Sequence, residues 1–255
     1  MLRASRWLLA GLLFARAGAL VAADFPDTIE RVKPSVVAVG TYRATDSPAF
    51  NLRGTGFVIG DGRSVATNAH VVNLDSFPAD RQPMLMVMAR VGGQTRTLRA
   101  QLVVTDPDHD LAILKLEEST LPALPLASTA RVREGQDVAF TGFPIGNALG
   151  FVPVTHRGSV SAITPIVLPT PTARQLNAQA IRRIKGGLFD IYQLDATAYP
   201  GNSGSPVYDA VTGDVVAIIN MVYVRGPKES AIGQPTGITY AIPVSHLEAL
   251  LPALK

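Results

Sequence analysis

The chain contains no cysteine. That excludes disulfide staples and all thiol-based chemistry, so the folded state must rest on core packing. Histidine occurs only four times, at His70, His109, His156 and His246, with no HExxH spacing and no cluster. No metal site is expected from such a set, and no motif asks for a cofactor. Charge is sparse at 17% of residues, and the formal net charge of +3 misleads. Arg3, Arg6 and Arg16 are the only charged residues before Asp24; without them 20 basic groups face 20 acidic ones. A neutral chain offers no electrostatic footprint for nucleic acid, and no RNA- or DNA-binding signature is present. An apolar run long enough to span a bilayer is also missing, because Arg16 cuts off the stretch that begins at Trp7.

What is present is a 255-residue chain with 47% hydrophobic residues, 22 Gly and 19 Pro. This suffices for a core, as one large domain or two small ones, and suits short strands and turns better than long helices. Residues 1–23 read as a signal peptide: Arg3 and Arg6 give a positive start, Trp7 to Phe14 an apolar stretch, and Val21-Ala22-Ala23 a small-residue cleavage site. Export to the periplasm or exterior is expected, with no stable membrane insertion after cleavage. A mitochondrial presequence is the less favoured alternative.

Residues around Ile29 and Val32 suit a turn of helix before Pro34. Strand signals follow at Ser35–Tyr42, Gly54–Ile59, Ser64–Asn68, Met84–Val91, Thr97–Thr105 and Leu111–Leu116. A Pro-containing connector spans about 117–130. Further signals lie at Asp137–Gly142, Gly150–Thr155, Ser159–Ile163, Ile191–Leu194, Pro206–Tyr208, Val215–Val224 and Gly237–Ile242, before a helical pattern over 244–251. Two runs of about six short strands suggest an all-β protein of two small antiparallel barrels, although the pattern alone also permits a sandwich. The expected division is 1–23 signal peptide and 24–255 a single folded domain, with barrels at about 34–121 and 131–243. Residues 165–189, Pro-rich at first and then basic, read as a surface loop able to rim a cleft.

Three motifs carry chemistry. Pro200-Gly201-Asn202-Ser203-Gly204-Ser205-Pro206 sets a serine among glycines. A serine hydroxyl needs a base to become a nucleophile, and flanking glycines let backbone N–H groups turn toward a developing oxyanion. Thr67-Asn68-Ala69-His70-Val71-Val72 places a histidine directly after a strand. Asp106-Pro107-Asp108-His109-Asp110-Leu111 places Asp110 at the mouth of an apolar strand, able to orient an imidazole. Asp106 and Asp108 compete for that role but look like turn residues. His109 competes as base, although it adjoins Asp110 and their side chains would diverge. His156 and His246 read as structural or exposed residues.

TNAHVV, DHDLAILKL and GNSGSPV, in this order, resemble the trypsin-fold serine proteases, especially the bacterial HtrA-like ones. The resemblance runs from about Val36 to Leu251 and includes GTGFVI, TGFPIGN, GSVSAI and GITYAIPVSHLEAL. It implies two six-stranded antiparallel barrels, a site in the cleft between them, and a short closing helix. It further implies a His70–Asp110–Ser203 triad cutting protein or peptide substrates through an acyl-enzyme, with an oxyanion hole from Gly201, Asn202 and Ser203. Thr197 and Asn220 would line the substrate pocket.

Departures from the family pattern narrow the expectation. Ser205 replaces the second glycine of GNSGG, as in glutamyl-endopeptidase-like relatives, but Asn220 stands where those use histidine. Thr197 stands where a Lys/Arg preference needs aspartate, so small or aliphatic side chains are expected at the cleaved bond. Asn202 cannot form the salt bridge of zymogen-type activation. The chain ends soon after the closing helix, so no PDZ domain is expected. An α/β-hydrolase esterase is disfavoured by the His, Asp, Ser order and by Ser205 in place of the last glycine of GxSxG. A catalytically silent binding protein on the same fold is the second reading.

Overall fold

The computed structural model describes residues 24–127, 132–145, 151–165, 189–220 and 238–254. The signal-peptide reading over 1–23 lies outside them, as do almost all of the 165–189 loop and the last four residues of the expected Val215–Val224 strand.

Helix α1 (Phe25–Val32) precedes β1 (Val36–Tyr42), β2 (Phe50–Ile59) and β3 (Ser64–Thr67). The single-turn helix α2 (Ala69–Val72) follows, and β4 (Met84–Val91), β5 (Gln94–Asp106) and β6 (Leu111–Leu116) complete the first half. The second half holds β7 (Asp137–Gly142), β8 (Val154–Pro165), β9 (Asp190–Asp195), β10 (Pro206–Asp209), β11 (Val215–Asn220), β12 (Ile238–Pro243) and helix α3 (Val244–Glu248). Each set of six strands closes into an antiparallel barrel, in the orders β1-β2-β3-β6-β5-β4 and β10-β11-β12-β9-β8-β7. Closure leaves no unpaired sheet edge.

The apolar pattern explains how the barrels join. In β1, Val37 and Val39 face the interior of the first barrel together with Val58, Val65, Leu114 and Leu116. The alternate residues Val36 and Ala38 join Phe57, Ile59, Leu111 and Ile113 in a different cluster, which also contains Tyr208, Ile218 and Ile242 of the second barrel. Strands buried on both faces read as continuous apolar runs instead of alternating ones. Each fully buried Ile or Phe of this shared core contributes about 1.5–3 kcal/mol. The shared core therefore fixes one barrel against the other.

Helix α1 docks on the second barrel, where Thr28 Oγ1 donates to Val211 O at 3.1 Å. The connector crosses from barrel to barrel: Leu124 N donates to Val58 O, and Ala127 N to Val215 O.

Two expectations need correction. Gly150–Thr155 and Ser159–Ile163 are not separate strands; one strand, β8, runs through Gly158. Gly158 reads as a break but is a point of close approach, since a Cβ there would lie 2.3 Å from Asp195 O. The closing helix stops at Glu248, and residues Leu251–Leu254 form a 3₁₀ turn around Pro252.

His156 lies on β8, its ring stacked on Phe140 at 4.7 Å between centroids. Its Nε2 is buried without a partner among the described residues. Burial pushes its pKa below the ordinary histidine value. His246 is lowered likewise, by burial first and then by the neighbouring His109. Below a pH of about 6.5 the unfolded chain then binds more protons than the folded one, so stability present above that pH is lost as pH falls. His156→Phe keeps the ring stack and removes one titrating group. Urea unfolding between pH 7.5 and 5.5 is expected to give a shallower loss for this variant than for the unmutated chain.

Candidate active site

The histidine comes from α2, placed immediately after β3. His70 Nδ1 lies 2.6 Å from Asp110 Oδ2, and the His70 backbone N–H donates to Asp110 Oδ1 at 2.9 Å. A carboxylate oxygen can only accept here, so Nδ1 carries the ring proton and Nε2 of the neutral imidazole is left as a base. The His70 side chain is 34% exposed whereas that of Asp110 is 4% exposed. The imidazole is thus partly open to solvent while its partner is withdrawn from water.

Asp110 sits one residue before β6 with φ +55°, in the left-handed region that aspartate tolerates better than most residues. Its backbone oxygen accepts Ala69 N at 3.1 Å and Asn68 Nδ2 at 3.0 Å. The turn bearing Asp110 and the turn bearing His70 are therefore stitched through main chain and side chain alike. Arg53 ties the His70 segment to β2, donating from Nε to Val71 O at 2.7 Å and from Nη2 to Asn73 O at 2.9 Å.

Asp106 and His109 occupy the far side of the same turn. Asp106 Oδ1 accepts the N–H groups of Asp108 and His109, and its Oδ2 lies 2.6 Å from His109 Nδ1. The His109 ring stacks on His246 at 4.0 Å and meets Phe189 edge-on. This second His–Asp pair packs against α3 and Phe189. Asp106 is committed to its own turn.

Asn220, expected in the wall of the substrate pocket, ends β11 at 1% exposure, and its Nδ2 donates to Asp110 Oδ2 at 3.0 Å. A side chain of the second barrel thus reaches across to hold the carboxylate of the first. Thr197 lies half-buried in the loop after β9.

Ser203 is buried at 6% exposure in the turn between β9 and β10, between Gly201 at φ +101° and Gly204 at φ +85°. Four successive carbonyls of this turn are held: Pro200 O by Ile145 N at 2.7 Å, Gly201 O by Thr55 Oγ1 at 2.7 Å, Asn202 O by Ser205 N at 2.9 Å and Ser203 O by Thr55 N at 2.8 Å. The three expected oxyanion donors do not behave alike. Asn202 N–H donates to Tyr199 O at 2.9 Å, whereas the Gly201 and Ser203 N–H groups have no protein acceptor among the described residues. In a trans peptide the N–H points opposite its C=O, so pinning Pro200 O and Asn202 O turns those two N–H groups away from the protein contacts.

The serine and histidine turns meet over Gly54. A Cβ placed there would lie 2.6 Å from Val71 Cγ2 and 2.8 Å from Ser203 O. Behind the turn, Asn202 Oδ1, Asn202 Nδ2 and Ser205 Oγ are fully buried and find no partner among the described residues. The Ser205 hydroxyl lies close against Gly142, where an added Cβ would come within 2.0 Å of it. A serine in place of the family's second glycine thus fits here against a glycine on β7.

Sequence reasoning missed Arg53, Thr55 and Asn68 as supports of the site. The one available signal was GTGF, in which a polar residue stands between glycines directly before the apolar run Phe57–Ile59.

Comparison with known proteins gives a consistent neighbourhood. The profile of the trypsin-like peptidase domain matches residues 54–218. A probable periplasmic serine endoprotease, DegP-like, of Pseudomonas fluorescens is 31% identical over 191 residues, covering 75% of this chain and 32% of the relative. One of the same description from Hahella chejuensis is 28% identical over 281 residues, covering 98% of this chain and 52% of the relative. The chain thus spans between a third and about half the length of these relatives. Among solved structures, a serine endoprotease from Yersinia pestis superposes with a TM-score of 0.62 at 24% identity, covering 92% of this chain and 67% of that one. Deg5 superposes with a TM-score of 0.64 at 22% identity, covering 90% and 92%.

Proposed function

The chain belongs to the trypsin-like peptidase domain family, and from that premise we propose that it is a serine endopeptidase acting on proteins or peptides through an acyl-enzyme. One observation carries the reading: the His70–Asp110 pair and the Ser203 turn come from different barrels and pack together over Gly54. In the proposed cycle His70 Nε2 takes the proton of Ser203 Oγ as the oxygen attacks the scissile carbonyl. Asp110 holds the imidazole tautomer and stabilises the imidazolium. The Gly201 and Ser203 N–H groups receive the oxyanion. His70 then protonates the leaving amine, and water releases the acyl group by the same route in reverse.

Thr197 carries no charge to pair with a Lys or Arg side chain, which supports a small or aliphatic preference at the cleaved bond. The periplasmic descriptions of the relatives support export, with residues 1–23 as the signal and the remainder as one protease domain. No helix among the described residues is long and apolar enough to cross a membrane.

The test digests casein with the whole chain and with Ser203→Ala. Cleavage by the first and loss of at least about 10⁴-fold in the second is expected. Equal digestion, or none by either, overturns the reading and leaves a binding protein on this fold. Peptide-library cleavage by the active chain then reads the side-chain preference.

A further inference from the structure

Resting on the endopeptidase reading, we propose that Thr55 is a positioning residue for the oxyanion hole. Its hydroxyl, fixed in the first barrel, sets the orientation of the backbone that presents the Gly201 and Ser203 N–H groups in the second.

Thr55 lies on β2 with no solvent exposure and makes contacts on all sides. Its Oγ1 donates to Gly201 O at 2.7 Å and accepts Phe143 N at 3.0 Å. Its N–H donates to Ser203 O at 2.8 Å, and its carbonyl accepts Thr67 Oγ1 at 2.7 Å. One residue thus holds two of the four pinned carbonyls of the serine turn. Through Phe143 it also braces the strand end that leads to Ile145, whose N–H holds a third.

This matters because Gly201 has little conformational resistance of its own. At φ +101° a glycine supplies the required backbone, but it also rotates readily away from it. A Cβ at this position is blocked, since it would lie 2.3 Å from Phe143 O. Rigidity must therefore come from outside the residue. The Gly201–Asn202 peptide is clamped at both ends, its C=O by Thr55 and its N–H by Tyr199 O. Releasing the Thr55 end lets that peptide swing, and the adjoining Gly201 and Ser203 N–H groups swing with it. Donors that must be aimed before charge develops then lose their aim.

The glycines on either side of Thr55 fit this role. Gly54 admits Ser203 O and the Val71 side chain, and Gly56 admits Val39 and Val65. Side chains at either place would hold the serine turn off or distort β2, so only the central residue of Gly54-Thr55-Gly56 is available to reach across.

The test uses the full chain. Thr55→Val keeps the shape and loses both hydroxyl bonds; Thr55→Ser keeps the hydroxyl; Thr55→Ala stands in if the valine variant does not fold. On a peptide substrate, Thr55→Val is expected to lower kcat about 100-fold with KM within about threefold, while Thr55→Ser stays within about threefold of the unmutated chain in both. Amide hydrogen exchange in a Ser203→Ala background gives a readout independent of turnover. There Thr55→Val is expected to speed exchange over residues 201–204 about tenfold, with the barrel strands unchanged and Thr55→Ser without effect. Full activity in Thr55→Val, a serine variant as slow as the valine one, or a loss carried by KM overturns the proposal. If the unmutated chain cleaves nothing, the endopeptidase reading falls and exchange decides Thr55 alone: faster exchange confined to 201–204 upholds the positioning role, and unchanged exchange refutes it.

Discussion

Exchanging Asp110 for asparagine is expected to lower turnover about 10⁴-fold while leaving both barrels folded. The carboxylate takes three donors at once: His70 N on Oδ1, and His70 Nδ1 with Asn220 Nδ2 on Oδ2. An amide of the same shape has only one oxygen. If that oxygen meets His70 N–H, the NH₂ group faces both the imidazole and the Asn220 amide. The imidazole then accepts at Nδ1 and carries its proton on Nε2, which disables it as a base toward Ser203. If the amide is turned the other way, the NH₂ group faces the His70 backbone N–H and two donors meet in a buried site. Kinetics on a peptide substrate, with thermal unfolding as the folding check, decide the matter. Activity within tenfold of the unmutated chain would contradict the role given to Asp110.

Gly204→Ala is expected to cost on the order of 3 kcal/mol or more of stability and to abolish cleavage. Two effects combine. The residue sits at φ +85°, and a Cβ there would come within 2.1 Å of Thr55 O and 2.5 Å of Thr67 Oγ1. Both atoms belong to the buried bond that anchors Thr55, so neither can yield without loosening the serine turn. Gly213→Ala separates the two effects. Its φ of +80° is similar, yet an added Cβ would meet nothing nearer than 3.4 Å. That variant is expected to lose only about 1 kcal/mol, the cost of the left-handed backbone. Urea unfolding of both variants reads the difference, and equal losses would refute the steric account of Gly204.

Much of the fold was legible in the sequence, for reasons that can be located. Met84–Val91, Leu111–Leu116 and Asp137–Gly142 are strands to the residue. In each, the apolar run and the turn residues around it end at the same place. The boundaries of β2 were not legible, because its first residues, Phe50 to Arg53, mix polar and apolar types and are drawn into the sheet by Thr41 and Tyr42 of β1. Gly158 misled because a glycine in a strand marks either a break or a close neighbour, and only the neighbour, Asp195, tells which.

The site divides in the same way. The pairing of His70 with Asp110 was legible because His70 stands just after β3 and Asp110 just before β6, and these two strands pair antiparallel, which brings the end of one beside the start of the other. Asn220 and Thr55 were not, because each acts on a residue of the other barrel, far away in sequence. Asn220 lies 110 positions from Asp110, and Thr55 lies 146 from Gly201. No local pattern encodes such contacts; they exist only once the shared core has set one barrel against the other.

The central claim is that Ser203 is a nucleophile activated by His70. A fluorophosphonate probe tests it most directly, with the adduct located by mass spectrometry in the whole chain, in Ser203→Ala and in His70→Ala. The account predicts a single adduct on Ser203, none in Ser203→Ala and labelling slowed at least about 100-fold in His70→Ala. An adduct on another serine, or equal labelling with and without His70, would contradict it.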